Sequence, residues 1–130
     1  MARIFTYRGR DPEAYKNMPM DQYLKLVNSR ERRSIKRMGI QFKQLVEAVE
    51  KAKKKGDNSV IRTRVRSAVI LPSWLGMRFA VHNGKEYKEI EIRPEMLGHR
   101  LGEYSFTTKH VQHSAPGIRA TRGSKFLAVK

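Results

Sequence analysis

Cysteine is absent from these 130 residues. The chain therefore has no disulfide framework and no thiolate zinc site, a composition that fits a reducing cytosol. Acid is scarce: 12 Asp and Glu stand against 28 Lys and Arg, a net charge of +16 at pH 7. Such an excess points to a polyanionic partner, with nucleic acid ahead of an acidic membrane surface. Long apolar runs are missing too. None exceeds four residues, the length of Ala68 to Leu71, which is far too short to span a bilayer, and the opening MARIFTYRGR lacks the apolar region of a signal peptide. The only aspartates, Asp11, Asp21 and Asp57, sit at turn or cap positions. His110 and His113 are three apart but have no carboxylate or cysteine beside them, so they make a poor metal pair. The spacing Gly98-x-x-x-Gly102 lacks the Lys-Ser/Thr that completes a phosphate loop. The expectation is a non-enzymatic chain without cofactor or metal.

What is present is cation, in blocks. Residues 28–37 carry five basic side chains and one acid, residues 51–66 seven and one, residues 107–130 five and none. Residues 67–106 carry five of each. A neutral body with basic blocks around it reads as a folded platform bearing contact surfaces.

The length suggests one domain. Residues 1–20 lack periodicity and read as an irregular N-terminal arm, 21–106 as a single globular α+β domain, and 107–130 as an extended basic tail. Asp21 is placed to cap a short helix with Tyr23, Leu24 and Val27 inward, and Ser29 a second one ending at Gly39. On the second, Arg30, Arg33 and Arg37 share a face. A third helix runs from about Ile40 to Lys55 with an apolar stripe of Phe42, Leu45, Val46 and Val49. Next, Ile61, Val65 and Val69 alternate with Arg62, Arg64 and Arg66, the pattern of a strand with one apolar and one basic face. MRFAVH-NG-KEYKEIEI reads as a hairpin turning at Asn83-Gly84. Pairing outward from that turn sets Ala80 against Tyr87 and Arg78 against Glu89, with Phe79, Val81, Ile90 and Ile92 on the core side. PEML is a short helix after Arg93, and GHRLGEY a glycine-punctuated loop. The fold expected is a small antiparallel sheet of about three strands with helices on one face.

The residues predicted to meet a polyanion follow from these blocks. They are the helical face of Arg30, Arg33 and Arg37, the lysines Lys53, Lys54 and Lys55, and the strand face of Arg62, Arg64 and Arg66, whose forked donors match phosphate oxygens. His82 and Lys85 flank that face at the hairpin tip. In the tail, Lys109, His110, Arg119, Arg122 and Lys125 stand among small residues that cannot build a core. Aromatics for base stacking are sparse. Tyr7, Tyr15, Tyr104 and Phe106 are candidates, but residues of this kind more often serve packing, so recognition by shape and phosphate is the better reading. A free-standing nucleic-acid-binding regulator shares every one of these features.

RPEMLGHRLGEYS, preceded by AVHNGKEY, resembles the signature region of the universal small-subunit ribosomal protein nineteen family. Its archaeal and eukaryotic branch is the closer match. YRGRD, RERRSIKR, the ILP after the basic strand and PGIRATRGSKF have counterparts there, so the likeness runs from about Phe5 to the end of the sequence. Tyr104 stands where many relatives have phenylalanine. The N-terminal helices are absent from bacterial members, so bacterial contacts do not carry onto residues 1–38. The resemblance implies a cytoplasmic, ribosome-bound structural protein that binds small-subunit rRNA in the subunit head. It implies a neighbouring head protein of the thirteen family, proximity to large-subunit proteins at the interface, and a tail reaching toward the decoding site and aminoacyl tRNA. By the same analogy Arg64, Arg66, His82, Asn83, Gly84, Lys85, Gly98, His99 and Arg100 touch rRNA or shape its contacts, and Arg119, Arg122 and Lys125 lie near the tRNA site.

Overall fold

The computed structural model describes residues 5–56 and 59–109. Among them four helices come first: α1 (Pro12–Lys16), α2 (Met20–Leu26), α3 (Ser29–Lys36) and α4 (Ile40–Lys54). Strands β1 (Ile61–Thr63), β2 (Arg78–His82) and β3 (Tyr87–Glu91) follow, with 3-10 turns at Pro72–Trp74, Pro94–Met96 and Leu101–Tyr104. The α+β class and the three-stranded sheet are as the sequence implies.

Helix α4 follows its apolar spacing. Phe42, Leu45 and Val49 are buried, and Gly56, at φ +64°, lies just beyond the helix end. The Phe42 ring meets Trp74 edge-on at 6.2 Å, and Trp74 lies 5.1 Å from Phe79 of β2. Three aromatic rings thus join helix to sheet, each pair contributing about 0.5–1.5 kcal/mol beyond the area it buries. The shorter helices begin elsewhere than their polar residues suggest. Pro19 precedes α2, leaving Asp21 in the first turn, where its charge suits the helix dipole. Asn28 rather than Ser29 precedes α3. The arm expected to be irregular contains α1, whose Tyr15 is fully buried and donates its hydroxyl to the Tyr7 carbonyl at 2.5 Å.

The sheet order is β1-β2-β3. Phe79, Val81 and Ile90 are buried on one face of the hairpin, with Ile92 buried just past β3, as alternation requires. The register lies two residues beyond the expected one: Ala80 faces Glu89 and Arg78 faces Glu91. Asn83 causes this. Its Oδ1 accepts the Lys85 and Glu86 N–H groups, and its own N–H reaches Glu86 O at 3.0 Å. Gly84, at φ +107°, and Lys85 therefore form the turn centre. A shift of two preserves every side chain's face, whereas a shift of one would invert them all.

The first strand differs more. It pairs with β2 in parallel, so the sheet is mixed rather than antiparallel. The intervening residues 64–77 are long enough for the crossover that parallel pairing demands. β1 also stops at Thr63, because the Thr63 hydroxyl accepts the Val65 N–H and the Arg66 N–H turns back to Arg64 O. Beyond this turn the chain runs beside the segment read as a loop. Ile70 N–H bonds His99 O, Leu101 N–H bonds Ala68 O, Gly102 N–H bonds Arg66 O, and Val69 bridges Arg100. The run Ala68 to Leu71 is thereby buried at the centre of the core.

Two glycines are required by close approach. A Cβ on Gly102 would stand 3.0 Å from both Arg66 Cβ and Arg66 O. One on Gly98 would stand 2.6 Å from the Tyr7 hydroxyl, and Gly98 has φ +77°. Its N–H donates to the buried Tyr23 hydroxyl, which itself donates to Ile70 O. Burial raises the Tyr23 phenol pKa well above its usual value. Gly98→Ala is expected to cost about 2–3 kcal/mol through left-handed strain and collision. Thermal melting checks this, and an unchanged midpoint would contradict the packing.

Candidate nucleic-acid interface

Helix α3 is held by one buried residue, Ile35. Its outer side forms an open groove lined by Ser29, Arg30, Arg32, Arg33, Lys36 and Arg37. Arg32 is committed to the fold: Nε donates to Leu24 O at 2.6 Å, and Nη2 to Val27 O at 3.0 Å and Lys25 O at 3.3 Å. These acceptors lie at the carbonyl end of α2, where a cation is favoured. Arg30, Arg33, Lys36 and Arg37 have no ion pair with a described carboxylate. The one acid of α3, Glu31, accepts from Arg100 Nε at 3.0 Å. Like charges at helical spacing repel, so the groove concentrates positive charge that the described carboxylates leave unneutralised.

The basic strand face does not form as expected. Arg62 stays exposed in β1, but Arg66 lies past the turn and folds inward. Its guanidinium donates to His82 O at 2.7 Å, Gly102 O at 3.0 Å and Ser105 O at 2.5 Å. Three carbonyls from two segments occupy its fork, which makes it a fold-holding residue. Arg62 and Arg64 instead converge on Tyr87. The Arg62 guanidinium lies 5.8 Å from the ring centroid, and Arg64 Nε is 3.3 Å from the hydroxyl.

At the hairpin tip, His82 Nδ1 accepts the Gly84 N–H at 3.1 Å. Asn83 organises the turn, and Lys85 is exposed. His99 Nδ1 lies 2.7 Å from Glu103 Oε2, four residues along the chain. Arg100 bridges to Glu31, so its charge is largely spent inside the fold. Lys53 donates to Ser73 O, and burial lowers its ammonium pKa. Lys54, Lys55 and Lys109 are exposed. The structure thus gathers Arg30, Arg33 and Arg37 in one groove and Arg62 and Arg64 at another point. It diverts Lys53, Arg66 and Arg100 to internal partners. His110, Arg119, Arg122 and Lys125 lie outside the described residues.

Among the candidate aromatics, Tyr15 is buried, Tyr7 packs against it, and Tyr104 meets His99. Phe106 is 71 % exposed with the Lys88 ammonium 5.4 Å from its ring. Tyr87 and Lys36 were missed. Tyr87 carries no sequence signal, because only the folded sheet sets it opposite His82 and beside Arg62 and Arg64, whereas Lys36 stands three residues from Arg33 on α3. Among the described residues, no group of three His, Cys, Asp or Glu is arranged to hold a metal ion, and no helix is long and apolar enough to cross a membrane.

The model of the family described as Ribosomal protein S19 matches residues 33–113. The chain belongs to the ribosomal protein S19 family. Among the S19 relatives, "Small ribosomal subunit protein uS19" of Saccharolobus solfataricus is 51 % identical over 128 residues, covering 97 % of this chain and 91 % of its own. The protein of the same name from Metallosphaera sedula is 45 % identical over 129 residues, with the same coverage of both chains. The S19 family match takes in the second half of α3, all of α4, the sheet and the 3-10 turns. The alignments with the two archaeal S19 relatives extend over nearly the whole chain, including the N-terminal helices.

Proposed function

We propose that this S19-family chain is a non-catalytic constituent of the small ribosomal subunit that binds rRNA through its basic surfaces. The α3 groove carries the reading: exposed guanidiniums at helical spacing, without described carboxylate partners, suit phosphates supplied by another molecule. The family and the archaeal relatives support the ribosome as the setting. The finer placement is part of the same proposal. The chain sits in the subunit head beside a protein of the thirteen family, near the large-subunit interface, and its tail, residues 107–130, serves the decoding site and aminoacyl tRNA. Arg30, Arg33, Arg37, Arg62, Arg64, Lys54, Lys55, Lys85 and Lys109 are the proposed phosphate contacts. His82, Asn83, Gly84, Gly98, His99 and Arg100 shape the surface that presents them.

Sedimentation tests this. The tagged chain is expected to co-migrate with small subunits at moderate salt and to bind protein-free small-subunit rRNA with an affinity that falls steeply as salt rises. A chain that stays at the top of the gradient while binding unrelated duplexes equally well would instead be a free-standing regulator.

A further inference from the structure

We propose that Tyr87 is a positioning residue that holds Arg62 and Arg64 in a preformed clamp for the RNA backbone. The inference rests on the rRNA-binding reading above. In the sheet, Arg62 stands beside Ala80 of β2, and Ala80 beside Glu89 of β3. Tyr87 faces His82 one position further along the same outer face. Tyr87 is 38 % exposed. The His82 ring meets it edge-on at 4.9 Å, and His82 is itself fixed by the Gly84 N–H on Nδ1. A chain of contacts therefore runs from the hairpin turn through His82 to Tyr87, and from Tyr87 to two guanidiniums, one near the ring and one at the hydroxyl.

Two cations drawn together by one phenol repel each other unless an anion lies between them or the ring offsets the cost. Glu89 is the nearest acid by register, yet Arg62 lies two strand spacings from it, about 10 Å. Neither Arg62 nor Arg64 is ion-paired to a described carboxylate. Both forks thus retain donors for phosphate oxygens, and the ring has already removed part of the side-chain entropy that binding would otherwise lose.

The test measures binding of the full-length chain to protein-free small-subunit rRNA across a salt series. Tyr87→Ala is expected to weaken binding about 5- to 10-fold, and Tyr87→Phe, which keeps the ring but drops the hydroxyl, about 2- to 3-fold. The slope of log affinity against log salt stays at the wild-type value in both, because no charge is lost. In an Arg62→Ala, Arg64→Ala background the slope falls by about 1–2, and adding Tyr87→Ala has no further effect. Loss that persists in that background means Tyr87 touches the RNA itself, which overturns the positioning role. Wild-type affinity in Tyr87→Ala overturns it as well. A wild-type chain that does not bind the rRNA overturns this inference and the proposed function together. An independent readout needs no RNA. The Arg64 Nε–H resonance is expected to be protected from solvent exchange in the wild type and unprotected in Tyr87→Phe. Equal exchange in the two contradicts the clamp.

Discussion

Arg66→Ala lowers the stability of the free protein by about 3–5 kcal/mol, because three carbonyls lose a charged donor. For a domain with about 5–15 kcal/mol in total, that is a fall in melting temperature of roughly 10–20 °C. The carbonyls belong to His82, Gly102 and Ser105, so one guanidinium ties the end of β2 to the last 3-10 turn. Ser105 is fully buried, and water cannot readily replace the missing donor there. Arg66→Lys recovers only part of the loss, since an ammonium cannot span three acceptors in one plane. Arg64→Ala stays within about 0.5 kcal/mol, as expected of an exposed side chain. Thermal melting without RNA separates the two neighbours. Equal midpoints for Arg64→Ala and Arg66→Ala would remove Arg66 from the fold and return it to the binding surface.

The opposite signature is expected from the α3 groove. Arg30→Ala, Arg33→Ala and Arg37→Ala together leave the melt unchanged, because all three side chains are exposed and α3 is anchored by Ile35. Binding to small-subunit rRNA should change in its salt dependence. Three lost phosphate contacts reduce the log–log slope by about 2–3 units, so the loss of affinity between 50 and 200 mM salt is about 16- to 64-fold smaller than in the wild type. A triple variant with the wild-type slope would mean the groove faces solvent or protein, and the phosphates lie elsewhere.

These two results separate what the sequence announces from what it conceals. Periodicity announces: the stripe Phe42, Leu45 and Val49 places α4, and alternation through Phe79, Val81 and Ile90 gives the buried face of the hairpin even though its register lies two residues away. The exposed arginines of α3 are legible for the same reason, because spacing three and four fixes a helical face without any knowledge of the rest of the molecule. Tertiary hydrogen bonds conceal. Arg62, Arg64 and Arg66 alternate as a strand would, yet the pairing of residues 66–70 with 99–102 bends the chain and draws Arg66 inward. Nothing local signals that Gly102 and Ser105 will offer their carbonyls. Tyr15 and Trp74 stand in segments without a repeat, so their burial has no periodic signature. Tyr87 reads as one more residue of a charged strand until β1 brings two arginines to it.

Trp74 is the only tryptophan in the chain, and it is wedged between Phe42 and Phe79, 1 % exposed. The molecule thus carries an intrinsic fluorophore buried where α4 meets the sheet. Its emission should shift to the red only when the layers part and should ignore polyanion docking, so each variant's optical spectrum can certify the scaffold without a dye.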